Sequence, residues 1–199
     1  VAASGVDFAV GGSYKYLRGG PGACFLYVAP RWLDAGLRTL DTGWFAKERP
    51  FAYLRPDPPA FARGGDGWLE STPSVLAPFQ ARAGQRLALA LGVARLREDS
   101  LAKQAALVHA LAERGVAAVG GTPSRGAFVV VPFDREPDGF ASRVADRLAA
   151  RGVVADARGA YLRLCPDVLT GHDEVAHAAA EVAAVASAVR GGARAVGRS

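Results

Sequence analysis

Apolar residues first run in short blocks and then recur at helical spacing. Residues 6–10 and the run Gly22-Ala23-Cys24-Phe25-Leu26-Tyr27-Val28 read as two buried strands around a glycine-rich turn. Periodicity is then lost over residues 29–70, which are rich in proline, glycine and aromatics. That segment predicts ordered but irregular structure lining a pocket or a subunit interface. Thr72 suits a helix N-cap and Pro73 the first helical position, with Leu76, Phe79, Ala83 and Leu87 following at helical spacing up to a break at Gly92. Leu101, Ala105, Val108 and Leu111 predict a second helix that stops at Gly115.

Farther on, residues 116–119 and 126–131 read as strands, and Pro137 opens a helix carrying Phe140, Val144 and Leu148. Strands are expected at 153–157 and 160–164 around the turn Arg158-Gly159. A capping box from Thr170 to Asp173 then starts a last helix through Val175, Val182 and Val189. This order describes a compact α/β lobe with a largely antiparallel sheet covered on one face by helices. The expected division is 1–95, 96–191 and a basic tail at 192–199.

Composition narrows the function classes. The net charge is +5, but no basic run interleaves with aromatics, which argues against nucleic acid as a partner. The longest apolar stretches are interrupted by Gln80, Arg82, Gln85 and Arg86, so no membrane span is expected. Cys24 and Cys165 are far apart and lack CxxC spacing, which predicts packed, reduced thiols in a cytoplasmic protein. The three histidines have no metal-like spacing. The chain has no methionine and opens directly into a strand, so its start reads as the middle of a domain.

Only three of the twenty-four basic residues are lysines, and one of them, Lys15, stands between Tyr14 and Tyr16 at a strand end, followed by Gly19-Gly20-Pro21-Gly22. A lysine desolvated there can serve as an amine nucleophile. The order of a phosphate loop is absent. Arg163 is also unusual: it sits mid-strand among apolar neighbours, where an unpaired guanidinium would be costly. A guanidinium so placed can orient a carboxylate through a bidentate pair.

The segment Asp7–Val28, with its Tyr-Lys-Tyr-Leu-x-Gly-Gly-Pro-Gly-Ala pattern, resembles the lysine segment of kynureninases, class V members of the fold-type I pyridoxal-phosphate enzymes. The resemblance implies the C-terminal part of that fold: the end of a large-domain sheet followed by a small α/β domain. It also implies pyridoxal 5'-phosphate held covalently by Lys15, with Tyr14 bonding the cofactor phosphate and carrying proton traffic. Trp44 matches a Gly-Trp-aromatic element that lines the site from a neighbouring subunit, and Phe45 would border the aryl pocket. Ala46-Lys47-Glu48 departs from the histidine that often follows in that family. Thr72 matches a position that reaches the partner's cofactor, and Arg163, in an Arg-x-x-Pro element, the clamp on the substrate carboxylate.

The implied reaction is hydrolysis of kynurenine or 3-hydroxykynurenine to anthranilate and alanine, in tryptophan catabolism. The resemblance covers only the C-terminal half of the family's length. The rest of the site is then expected from a complementary N-terminal half, within a homodimer of the complete protein, and the isolated chain is expected to be inactive. Two alternatives remain: a class V aminotransferase or cysteine desulfurase-like enzyme, and a non-catalytic partner lobe. The desulfurase reading lacks a catalytic cysteine on a mobile loop.

Overall fold

A computed structural model describes residues 1–40 and 43–196, with side chains up to Gly191. The chain divides into two units, Val1–Leu91 and Gly92–Ser199. The break falls at Gly92, whose φ of 85° suits glycine and separates two helices that would otherwise be continuous.

The first unit opens with an antiparallel hairpin of β1 (Phe8–Gly12) and β2 (Cys24–Val28), in which Phe8 faces Val28 and Gly12 faces Cys24. The sequence predicts buried strands here. In the structure the hairpin is largely exposed, because two strands alone cover neither of their faces. A short helix, α1 (Pro30–Asp34), follows with proline in its first turn. The Asp7 carboxylate accepts hydrogen bonds from Trp32 Nε1 and Arg31 Nη2, tying α1 to the start of β1. These two donors, Trp32 foremost, hold the Asp7 carboxyl below its ordinary range.

Residues 43–70 are irregular, with three short 3₁₀ turns and a single bridge between Lys47 and Phe61. Helix α2 spans Leu76–Leu91. It therefore starts later than expected, and Thr72 is not its N-cap. The reason is Pro78: it has no amide to donate to the Ser74 carbonyl, and its ring would clash with that carbonyl if the helix began earlier. Pro78, not Pro73, occupies the first turn.

In the second unit, α3 (Val93–Ala112), α4 (Phe140–Ala149) and α5 (His172–Val196) pack with a sheet of β3 (Val129–Pro132), β5 (Tyr161–Leu164) and β4 (Asp156–Arg158). The order is β3-β5-β4, antiparallel throughout. Alternation sends Val129, Val131, Leu162 and Leu164 into one core with Leu107, Leu111, Phe140, Val144, Leu148, Val182 and Val185. Residues 116–119 supply only one bridge, Val119 to Val130, before Gly121 turns the chain and donates its amide to Gln104.

The start of α5 also differs in register. Thr170 Oγ1 accepts from the Asp167 amide, while Glu174 reaches back to the Gly171 amide at 2.6 Å. The reciprocal half of the cap thus falls on Glu174 instead of Asp173. Helix α5 runs to Val196, past the expected end at Gly191. Residues 197–199 of the expected tail lie outside the described residues.

Candidate active site

Lys15 sits in the turn after β1, and the backbone around it is tightly held. The buried Ser13 donates from its amide and its hydroxyl to the Ala23 carbonyl, at 2.9 and 2.8 Å. Gly19 donates to the Ser13 carbonyl at 2.7 Å, and Arg18 to that of Lys15 at 2.9 Å. Helix α2 supports this turn from below. A Cβ at Gly84 would come within 2.3 Å of the Leu17 and Arg18 carbonyls, and one at Gly19 within 2.9 Å of Ala81 Cβ. Gly84, Ala81, Gly19 and Ser13 therefore set the position of Lys15. Sequence reasoning passed over them; the available signal was the small residues on one face of α2, Ala81, Gly84 and Ala88, all buried.

The Lys15 side chain is exposed, and so are Tyr14 and Tyr16, at 59% and 51%. The expected desolvation of the amine by its two tyrosines is thus not present in this chain: the phenol rings point outward and bury little of their neighbour. Lys15 Nζ lies 5.3 Å from the centroid of the Tyr14 ring, so the two side chains share one locality.

Trp44 and Phe45 lie in a 3₁₀ turn that packs with Phe51 and Tyr53. Ring centroids are 4.6 Å apart for Trp44–Phe45 and 5.4 Å for Trp44–Phe51, both edge-on, and 6.3 Å for the stacked Trp44–Tyr53 pair. The turn is fixed by Glu48 donating to the Ala60 carbonyl and Ala62 to that of Ala46, at 3.0 and 2.9 Å. Phe45 also borders a cavity of about 670 Å³ that includes Lys47, Arg49, Phe61 and Arg63. Gly43 brings this aromatic group to the strand of chain that carries Thr72: a Cβ there would overlap the Glu70 carbonyl, 0.6 Å away. Thr72 itself is exposed and lies outside α2, so no helix N-terminus reinforces it.

Arg163 lies in the other unit, on the sheet face opposite the core. It donates to the Asp156 carboxylate across the β4–β5 ladder, and its Cζ is 5.4 Å from the Phe128 ring centroid. Hydrogen bonding from Arg163, and secondarily from Arg158, holds the Asp156 carboxyl below its ordinary range. The costly unpaired guanidinium anticipated from the sequence is therefore avoided by an acidic neighbour. The sequence puts the turn at Arg158-Gly159; in the structure it is Gly159-Ala160, one residue later, because Gly159 takes the left-handed conformation, and this register sets Arg158 against Tyr161 and Asp156 against Arg163.

Both cysteines carry thiols and both are exposed, not packed. Cys24 is in β2, and Cys165 directly follows β5, its Sγ donating to the Ala127 carbonyl at 3.2 Å. Among the described residues, no group of three His, Cys, Asp or Glu side chains could hold a metal ion, and no helix is long and apolar enough to cross a membrane.

The structure brings Lys15 and Tyr14 together and places Trp44 and Phe45 in a separate aromatic cluster of the same unit; taken singly, these side chains have the chemistry to hold part of a pyridoxal phosphate. Lys15 offers a solvent-reachable primary amine on a pinned backbone, Tyr14 a phenol, and Trp44 a flat aromatic face within a ring cluster.

No protein-family model matches the chain. It is 31% identical over 183 residues to the uncharacterized aminotransferase YcbU of Bacillus subtilis, covering 90% of this chain and 46% of that protein. Kynureninase of Pseudomonas fluorescens is 32% identical over 162 residues, 78% of this chain and 37% of that enzyme. Kynureninase of Deinococcus radiodurans is 40% identical over 99 residues, 49% of this chain and 23% of that enzyme. Among solved structures, the apo cysteine desulfurase of Thermococcus onnurineus NA1 superimposes with a TM-score of 0.74 at 16% identity, over 93% of this chain and 47% of that one. The fold is thus that of the C-terminal part of a fold-type I enzyme, and the chain spans about half the length, or less, of the proteins it matches.

Proposed function

We propose that this chain, similar over the part of their length that it spans to an aminotransferase and to kynureninases, is part of a class V pyridoxal-phosphate-dependent enzyme and contributes the lysine-bearing part of a kynureninase-like active site. The observation that carries this reading is Lys15 itself: an exposed amine on a turn whose backbone is clamped by Ser13 and α2. Lys15, Tyr14, Trp44 and Thr72 would hold the cofactor, which when bound supplies an electron sink for chemistry at an amino-acid α-carbon.

Each residue then has a distinct task. Arg163 orients the substrate through its α-carboxylate. Lys15, as an amine, moves the α-proton, and Tyr14 exchanges protons near the phosphate. Trp44 and Phe45 border the aryl group. Overall, water adds its hydroxyl to the γ-carbonyl carbon of kynurenine or 3-hydroxykynurenine. The Cβ–Cγ bond breaks, and Cβ takes a proton, giving alanine and an anthranilate. We place this reaction in tryptophan catabolism in the cytoplasm, within a homodimer completed by residues preceding those in this chain or by a complementary chain. The exposed apolar faces of β1 and β2 suit such a covering partner.

The test is to add pyridoxal phosphate to the chain, reduce with borohydride and map the modified peptides. Saturable modification of Lys15 alone is expected. Lys103 should stay unmodified, because it is buried and its Nζ is engaged by the Asp167 and Val168 carbonyls and by Asp99. Modification shared equally between Lys15 and Lys47, or absent from both, would remove Lys15 from the role in this chain. One observation favours a second reading: the similarity to the aminotransferase YcbU extends over more of the chain than that to the kynureninases. Product analysis of the complete, cofactor-loaded protein with kynurenine separates the two, giving anthranilate for hydrolysis and the cyclised keto acid for transamination.

A further inference from the structure

On the outer face of the β3-β5-β4 sheet, Arg163 is accompanied by two charged residues that the proposed function leaves unused, Asp156 and Arg158. Val130, Arg163 and Asp156 are direct cross-strand neighbours on the three strands. Arg163 Nη2 donates to Asp156 Oδ2, and Arg158 Nε donates to the same oxygen at 3.2 Å. Phe128 lies near the guanidinium, 5.4 Å from ring centroid to Cζ. The guanidinium is therefore restrained from the side by a carboxylate and over an aromatic ring. Its side chain is still 35% exposed.

We propose that Asp156 is a positioning residue for a carboxylate site at Arg163, holding the guanidinium so that the remainder of its donor fork meets the ligand. The inference rests on the reading of Arg163 as the substrate-carboxylate clamp. Three features favour positioning over blockade. Asp156 engages the fork through one nitrogen only, so the other donors are not consumed by it. Asp156 has a short side chain on a strand whose backbone is paired with that of Arg163, so the contact comes from the flank. Arg158 offsets the added negative charge: two guanidinium groups surround one carboxylate, and an arriving anion still meets net positive charge. An arginine already restrained loses less side-chain freedom when its ligand binds.

The test compares Asp156→Asn with Arg163→Lys in the complete, cofactor-loaded protein, in which the residues that finish the site are present. Asp156→Asn is expected to raise KM for the amino-acid substrate about 3- to 10-fold, the cost of immobilising one long side chain, while kcat stays within about twofold. Arg163→Lys should raise KM more. If Arg163→Lys leaves KM unchanged, the clamp reading fails and the positioning role fails with it. If Arg163→Lys raises KM but Asp156→Asn leaves it unchanged or lowers it, the positioning role is overturned while the clamp stands. A second readout needs neither cofactor nor turnover. In nitrogen-15 spectra of this chain, the Arg163 guanidinium signal should be resolved, with slowed rotation, and should join the exposed arginines in Asp156→Asn. A signal that is identical in both proteins overturns the inference.

Discussion

In the unit Gly92–Ser199, β3 and β5 point Val129, Val131, Leu162 and Leu164 into a core with three helices, and each of these side chains is at most 5% exposed. In the unit Val1–Leu91, the hairpin β1–β2 is built from equally apolar residues, yet Val10 is 81% exposed and Phe25 49%. The two strand sets have similar composition and the same antiparallel pairing. What separates them is the number of neighbouring elements: three strands with helices on one face against two strands alone. Hydrophobicity therefore marks a side chain as capable of burial, and the surrounding layers decide whether burial occurs. The parts also differ in chemistry. The well-cored unit carries Arg163, while the openly built unit carries Lys15, Tyr14 and the aromatic cluster around Trp44.

The sharpest way to break this comparison is truncation in each unit. Phe140→Ala removes a ring that is 2% exposed and tilted against Phe133, with centroids 4.9 Å apart, and should cost about 3–5 kcal/mol in urea unfolding followed by circular dichroism. Val10→Ala should stay within about 0.5 kcal/mol in the same assay. Similar losses for the two variants would show that the hairpin is covered in solution.

A smaller effect sharpens the comparison inside the first unit. That unit has few buried large side chains, but it does have close backbone approaches. Gly84→Ala would drive a methyl group into the Leu17 and Arg18 carbonyls, 2.3 Å from its position. The expected cost is about 1–3 kcal/mol, together with weaker borohydride-trapped modification at Lys15. Gly65→Ala, where a Cβ meets nothing within 4 Å, is the control and should leave trapping unchanged. Equal behaviour of the two variants would refute the support of the Lys15 turn by α2.

The smallest effect is electrostatic. Asp156 is held below its ordinary value of 3.8 by the hydrogen bond from Arg163 first, with Arg158 adding to it. A depressed carboxyl stabilises the folded state above its unfolded value, and that contribution is lost as pH falls through the lower folded value. The thermal midpoint of the wild-type chain should therefore decline slightly more than that of Asp156→Asn below about pH 4. Parallel curves would mean that the pair makes no difference to stability, as many exposed ion pairs do not.

Much of the local structure was legible before any coordinates. Gly92 ends a helix, Gly159 turns a hairpin, and the spacing of Phe140, Val144 and Leu148 forms the buried stripe of α4. These features depend on backbone dihedral preference and on side-chain period, both local properties. The start of α2 was misplaced because Thr72-Pro73 and Pro78 are competing local signals, and the clash of Pro78 with the Ser74 carbonyl prevails. The cap of α5 was misplaced by one residue because Asp173 and Glu174 both follow Gly171, and Glu174 is the one that reaches the Gly171 amide.

By itself, then, the sequence determined the elements, the strand–lysine–glycine turn and the resemblance to the class V enzymes, because each is carried by neighbouring residues. Only the tertiary structure decided that Ser13, Ala81 and Gly84 set the position of the Lys15 turn. It alone placed Gly43 against Glu70, and Phe128 beside the Arg163–Asp156 pair. It also decided that Tyr14, Tyr16 and both cysteines lie open to solvent. Such facts depend on which distant segments meet, and packing among segments far apart in the chain has no signature in the order of residues along any one of them.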